Sequence, residues 1–188
     1  MYLNDMFEKY MEWKLIRIFL QTPDRGFYTK EITRQTGMGA GTVNNFLRNI
    51  QKDNILIKEV VGNVHLYKLN NEPELVKHLK IVYTLLEFEQ YDFIGRFLKL
   101  DETIISIVLY GSHANGDYDS KSDIDLLFLV HKKNSPTSLL QTLEKKLNKP
   151  ISLQQMTIPE WQKLKIKDKI FYESILDKHI ILYGSGLP

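Results

Sequence analysis

The sequence predicts an α+β chain in two folded parts joined by a helix, and three observations carry that prediction. Helical spacing of apolar residues fills most of positions 5–54 and gives way to two strand-like runs. From 103 onward apolar strands alternate with amphipathic helices. Between them, residues 71–100 read as one long helix. The expected divisions are therefore 1–70, 71–100 and 101–188.

Each element has a residue-level reason. Met6, Tyr10, Trp13, Leu15, Ile16, Phe19 and Leu20 recur at roughly helical spacing over 5–21, and Pro23 and Gly26 end that helix. Thr29 caps a short helix, KEITRQTG, which Gly37 closes. A turn at Gly39–Gly41 leads into TVNNFLRNIQKDN, a third helix with Val43, Phe46, Leu47 and Ile50 on its apolar face. ILIKEVV (55–61) and VHLYKL (64–69) are strands joined at Gly62-Asn63, a pair that favours a hairpin turn. Asn71, Glu72 and Pro73 open the long helix, whose stripe is Leu75, Leu79, Val82, Leu86, Phe93 and Phe97. That helix connects the two parts, packs on both or forms a homodimer seam, and these readings stay open.

In the last part TIISIVLY (103–110) and DIDLLFLV (123–130) are strands, the first apolar enough to be buried on both faces. SPTSLLQTLEKKLN (135–148) is an amphipathic helix and ISLQQMT (151–157) a third strand. Thr157 with Glu160 forms a capping box for the next helix. HIILYG (179–184) closes a mixed sheet covered by helices.

Composition narrows the function. Residues 1–70 hold ten Lys/Arg against seven Asp/Glu and the remainder fifteen against sixteen, a weak basic bias on the N-terminal part. With no cysteine there is no disulfide framework, thiolate zinc site or cysteine nucleophile. No apolar run approaches the ~20 residues of a membrane span, and MYLNDMFEKYMEWK lacks the uninterrupted apolar centre of a signal peptide. A cytoplasmic protein is expected.

The chemistry concentrates in Gly111–Asp125, GSHANGDYDSKSDID. Gly111 lets phosphates approach the backbone, whose N–H groups with the Ser112 hydroxyl suit phosphate oxygens. Asp123 and Asp125 stand two apart at a strand start, so both carboxylates project from one face while Ile124 points to the core. Two such carboxylates beside a phosphate-binding turn suit two magnesium ions on a nucleoside triphosphate.

This stretch resembles the nucleotidyltransferases of the DNA polymerase β superfamily: G-S, ten residues, then D-x-D, between two apolar strands. It is most similar to the minimal nucleotidyltransferases, small proteins that often act with HEPN-type toxin partners. The resemblance implies that Gly111 and Ser112 bind the triphosphate and that Asp123 and Asp125 hold Mg2+. It implies transfer of a nucleoside monophosphate, often AMP, to a hydroxyl. Two departures stand out. His113 and Asn115 occupy positions often basic in the family, and Ser152 and Gln154 stand on the strand where many members carry a third carboxylate. Glu160 is nearby but explained by capping. The alternative is a transcription regulator or antitoxin that binds nucleotide or protein without turnover.

Residues 5–70 resemble the winged helix-turn-helix domains of transcription regulators, in element order rather than by a signature motif. DNA binding through 29–69, by Thr42, Asn44, Asn45 and Arg48 on the third helix, is then expected, with Asn63 and His65 as weaker wing contacts. Other readings of the motif fail. Asp117 and Asp119 do not open a calcium loop, because Ser122 and Phe128 stand where it needs Gly and Glu; they are expected as surface acids. Ser112 lacks the elbow of a hydrolase nucleophile. His113 is expected to contact a phosphate or to face solvent.

Overall fold

The computed structural model describes residues 6–188, and the expected helix start at residue 5 lies outside them. The first helix, α1, runs Met11–Gln21 and buries Trp13, Leu15, Ile16, Phe19 and Leu20. Met6 and Tyr10, expected on that stripe, are exposed: the chain turns at 8–9 and Tyr10 takes an extended conformation ahead of α1.

A short strand that the sequence reading omitted, β1 (Phe27–Tyr28), leads into α2 (Thr29–Thr36). Gly37 closes α2 in a left-handed conformation, as expected. Thr29 does not cap it: Tyr28 holds the cap position, and the Thr29 hydroxyl instead donates to Asn44 Oδ1 at 3.2 Å. Helix α3 (Ala40–Lys52) buries Val43, Phe46 and Leu47. The hairpin of β2 (Leu56–Val61) and β3 (Val64–Leu69) turns at Gly62-Asn63, with Val61 opposite Val64. The sheet order is β1-β3-β2.

The expected long helix is two. Helix α4 spans Glu74–Gln90 and α5 spans Phe93–Leu100, broken at Asp92, which adopts φ +48°. Its buried stripe also differs from the expected one. Leu75 is 66% exposed and Val82 45%, while Val76, Lys80, Tyr83, Thr84, Leu86 and Phe88 are buried. Helix α4 is apolar on more than one side, so periodicity alone could not choose the face that packs.

The second sheet has the order β6-β5-β4-β7, from β4 (Ile104–Tyr110), β5 (Ile124–Val130), β6 (Ile151–Met156) and β7 (Ile180–Gly184). β5 and β6 are parallel and the other pairs antiparallel, so the sheet is mixed as expected. A short helix, α6 (Gly111–Asn115), follows β4, and α7 (Thr137–Leu147) links β5 to β6. The capping box of Thr157 and Glu160 opens α8 (Ile158–Lys167), and α9 (Lys169–Asp177) returns the chain to β7.

Three cores result. Trp13, Phe19, Phe27, Leu47, Val76 and Tyr83 belong to one, which also takes in Tyr118 from beyond β4. Phe93, Phe97, Leu126, Phe128 and Leu143 fill one face of the second sheet; Val108, Leu127, Leu129, Trp161 and Ile175 fill the other. Each fully buried Leu or Phe contributes about 1.5–3 kcal/mol. Among the described residues no helix is long and apolar enough to cross a membrane.

Candidate active site

The site is built where β4 ends. Gly111 adopts φ +69°, and a Cβ there would collide with the Asp125 carboxylate, so both the backbone sign and the space require glycine. Helix α6 lasts five residues and stops at Gly116, φ +76°, where a Cβ would strike the Lys77 carbonyl. Ser112 sits in its first turn, half-buried, with its carbonyl accepting from Asp117 N–H at 3.0 Å.

The carboxylates lie across from this turn. Asp125 is the second residue of β5, paired with Tyr110 of β4 on one side and Ser152 of β6 on the other. Its neighbours Ile124 and Leu126 are buried on the opposite face, as the alternation requires. Asp123 lies just before the strand and is exposed. Gly111, Ser112, Asp123 and Asp125 thus gather at the mouth of one strand pair. Burial and the charge of Asp123 push the Asp125 carboxyl above the usual range, while a hydrogen bond with Ser152 draws it down. Tyr110 beside it is raised to about 12, by burial first and then by Asp125.

The Ser152 contact gives the missing third carboxylate a concrete form. The residue facing Asp125 from β6 is a hydroxyl that hydrogen-bonds the aspartate, not an acid. Glu160 does not replace it: it caps α8 and is held at about 2, first by its hydrogen bond from Lys133 at 2.8 Å. Replacing Ser152 with Ala is expected to raise the Asp125 pKa further, because the hydroxyl favours the ionised form. The direction is checked by NMR titration of the carboxyl carbon; divalent-cation binding should weaken most at acid pH, and a stationary midpoint would contradict the contact.

The loop between the two motif halves contains what the sequence reading missed. His113 neither contacts a phosphate-accessible surface nor faces solvent. It is 2% exposed, stacks on Tyr118 at 4.1 Å between centroids, and pairs through Nδ1 with the Thr84 hydroxyl at 3.0 Å. Burial, then the charges of Lys149 and Lys80, hold it neutral with a pKa lowered to about 3. The Tyr118 hydroxyl donates to the Leu20 carbonyl at 3.0 Å, at the end of α1. Lys80 and Lys149 place their ammonium groups 4.7 and 5.3 Å from the same ring.

Asp24, in the loop after α1, accepts from Ser120 N–H and Oγ, both at 2.8 Å. Lys149 donates to the Asp119 carbonyl at 2.9 Å. Asp117 and Asp119 are exposed, as expected, and Asp117 pairs with Lys77 at 3.4 Å. An aromatic inside so polar a run, DYDSKSD, was the available signal that this loop is anchored.

A cavity of about 230 Å³ lies behind this loop, lined by Arg17, Tyr83, Glu87, Ser120, Ile124 and Lys149. It reaches Ile124 rather than Asp125, so it belongs to the opposite face of β5 and is not the carboxylate site. On the N-terminal part, Asn45 and Arg48 are exposed on α3 and Thr42 half-buried. Asn44 turns toward α2 and lines an open concavity with Thr29, Lys30, Arg34, Asn63 and His65.

Residues 93–185 match the family described as Polymerase beta, Nucleotidyltransferase. The match covers just under half of the chain, and over that segment the chain is similar to the nucleotidyltransferases. A "Putative protein adenylyltransferase" of Methanocaldococcus jannaschii is 39% identical over 59 residues, 31% of this chain and 54% of the relative. The chain thus spans about half the length of that relative. A toxin–antitoxin crystal structure with AMP-PNP aligns at 21% identity and TM-score 0.37, over 49% of this chain and 71% of that one. A mutant of the toxin–antitoxin MntA-HpeT aligns at 20% and 0.36, over 50% and 72%.

The oxygen donors of this candidate site fit a hard divalent cation. Two carboxylates converge, and the space against Asp125 is kept open by the lack of a Cβ at Gly111. No group of three His, Cys, Asp or Glu forms a metal cage among the described residues. Two carboxylates completed by phosphate oxygens and water is the usual manner of magnesium binding.

Proposed function

We propose that this protein transfers a nucleoside monophosphate, AMP in the first instance, from a triphosphate to a hydroxyl on a partner protein. The observation that carries the reading is the approach of Asp125 to the glycine turn at 111. It sets a carboxylate against a backbone that can hold a phosphate. Gly111 and Ser112 bind the triphosphate; Asp123 and Asp125 hold Mg2+, two ions being expected. The metal supplies charge neutralisation at the α-phosphate and the leaving pyrophosphate. The acceptor oxygen bonds the α-phosphorus as the bond to the bridging oxygen breaks. Pyrophosphate leaves, and the hydroxyl proton passes to water.

Residues 1–70 act in this proposal as a winged helix-turn-helix module, with 71–100 as its connection to the 101–188 domain. The order of three helices and a hairpin supports it. Thr42, Asn45 and Arg48 are its candidate DNA contacts, with Asn44 turned partly away; a HEPN-type toxin is one candidate acceptor.

Asp123→Asn is expected to lower transfer of α-phosphate label by at least about 1000-fold, with the thermal midpoint little changed. The assay uses Mg2+, each triphosphate in turn and candidate acceptor proteins. Transfer that survives the substitution would overturn the assignment. Ser152, standing where an acceptor-side acid is absent, favours a second reading: a regulator or antitoxin that binds nucleotide without turnover. Saturable nucleotide binding with no transfer to any acceptor would select it.

A further inference from the structure

The corner between α8 and α9 has an outer surface that packing does not explain. Trp161 and Leu164 seat α8 on the sheet, and Phe171, Tyr172 and Ile175 seat α9. Asp168 joins them by accepting from Phe171 N–H at 3.0 Å. On the outside, Lys163, Ile166 and Lys167 share one face of α8 by their spacing, and Lys169 and Ile170 follow at the start of α9.

Ile166 is 88% exposed and Ile170 83%, the most exposed large apolar side chains among the described residues. Scattered exposed isoleucines are ordinary; two at one corner among lysines are less so. Lys163, Lys165 and Lys167 form no ion pair among the described residues, and Lys169 pairs with Glu173 at 3.6 Å. An open concavity of about 560 Å³ continues from Ile170 to Leu176, and Glu173 and Asp177 line it on the same face of α9 as Ile170, so the basic part of the corner is the α8 side. Helices α8 and α9 pack on the sheet face that carries Tyr110 and, by strand alternation, Asp125. Phe171, next to Ile170, lies edge-on to Tyr110 at 5.9 Å, and Tyr110 pairs with Asp125.

We propose that this corner docks an acidic protein surface that presents the acceptor hydroxyl to Asp125; the acceptor role rests on the function proposed above, whereas the docking does not. Four lysines supply attraction and orientation for acids, and the two isoleucines supply anchors that gain only when an apolar partner covers them. Lysines also attract nucleic-acid phosphates, but a nucleic-acid surface would add Arg or stacking aromatics to read or stack the bases. Here there is no Arg, and Trp161, Phe171 and Tyr172 are packed inward.

The test measures binding of a fluorescein-labelled glutamate–tyrosine copolymer to the whole chain by anisotropy. Ile166→Ser with Ile170→Ser, and separately Lys163→Glu with Lys167→Glu, should each weaken binding about tenfold or more. The charge-matched control Lys14→Glu with Lys52→Glu should leave it unchanged, and circular dichroism verifies that each variant is folded. Equal affinity in the corner variants, or an equal loss in the control, overturns the proposal. So does stronger, corner-dependent binding of a single-stranded RNA or of phosphatidylserine vesicles. Corner-dependent binding without label transfer leaves the docking surface standing and removes the transfer reading instead.

Discussion

Gly111→Ala is expected to lower the proposed nucleotidyl transfer by at least about 100-fold while leaving most of the fold intact. Two effects act together. At φ +69° an L side chain costs roughly 1–2 kcal/mol. The added methyl also meets the end of the Asp125 side chain, which must swing out of its place between Tyr110 and Ser152. Misplacing a reacting group by about 1 Å can cost 100-fold in rate, so activity should fall by at least about that factor. Label transfer and chemical denaturation, measured on the same preparation, separate the two effects. A variant that is destabilised but fully active would show that Asp125 does not depend on the glycine turn.

Tyr118→Ala should give the largest loss of stability, about 3–5 kcal/mol for truncating a fully buried aromatic. The ring holds the His113 stack and lies beside two ammonium groups, so the cavity would leave all three without their neighbour. Tyr118→Phe isolates the hydroxyl bond to Leu20 and should cost only about 1 kcal/mol. Urea denaturation distinguishes them. If the two variants were equally destabilised, the contribution of the ring would be misjudged. Divalent-cation titration of Tyr118→Phe should remain near that of the parent protein, because the loop is still filled by the ring.

Much of this architecture was legible because it is local. The hairpin at Gly62-Asn63, the strands around the motif and the capping box at Thr157 each rest on a few adjacent residues, and all formed as read. The candidate site was legible for the same reason: Gly111 to Asp125 is one continuous stretch. What escaped depends on residues far apart. Lys80 is buried on α4 because its ammonium donates a hydrogen bond to Asn71 Oδ1 at 3.0 Å and lies over the Tyr118 ring. His113 looked like a polar loop residue until Thr84 and Tyr118 enclosed it. The break at Asp92 has no glycine or proline at the turn itself; the left-handed aspartate lays its carboxylate against Gly95, where a Cβ would collide with it. Ser152 reads as an absence in sequence, yet in space it is a hydrogen-bond partner of the aspartate it faces.

Tyr118 and Ser120 lie inside the segment that matches the polymerase β family, but their partners, Leu20 and Asp24, lie some seventy residues before it. The stretch recognisable by likeness is therefore shorter than the stretch that folds. A fragment starting at residue 93 would lose the carbonyl, the carboxylate and the threonine that hold its motif loop, and would expose a tyrosine that the intact chain keeps dry. The family match begins at residue 93; the contacts that hold the motif loop reach back to the end of the first helix.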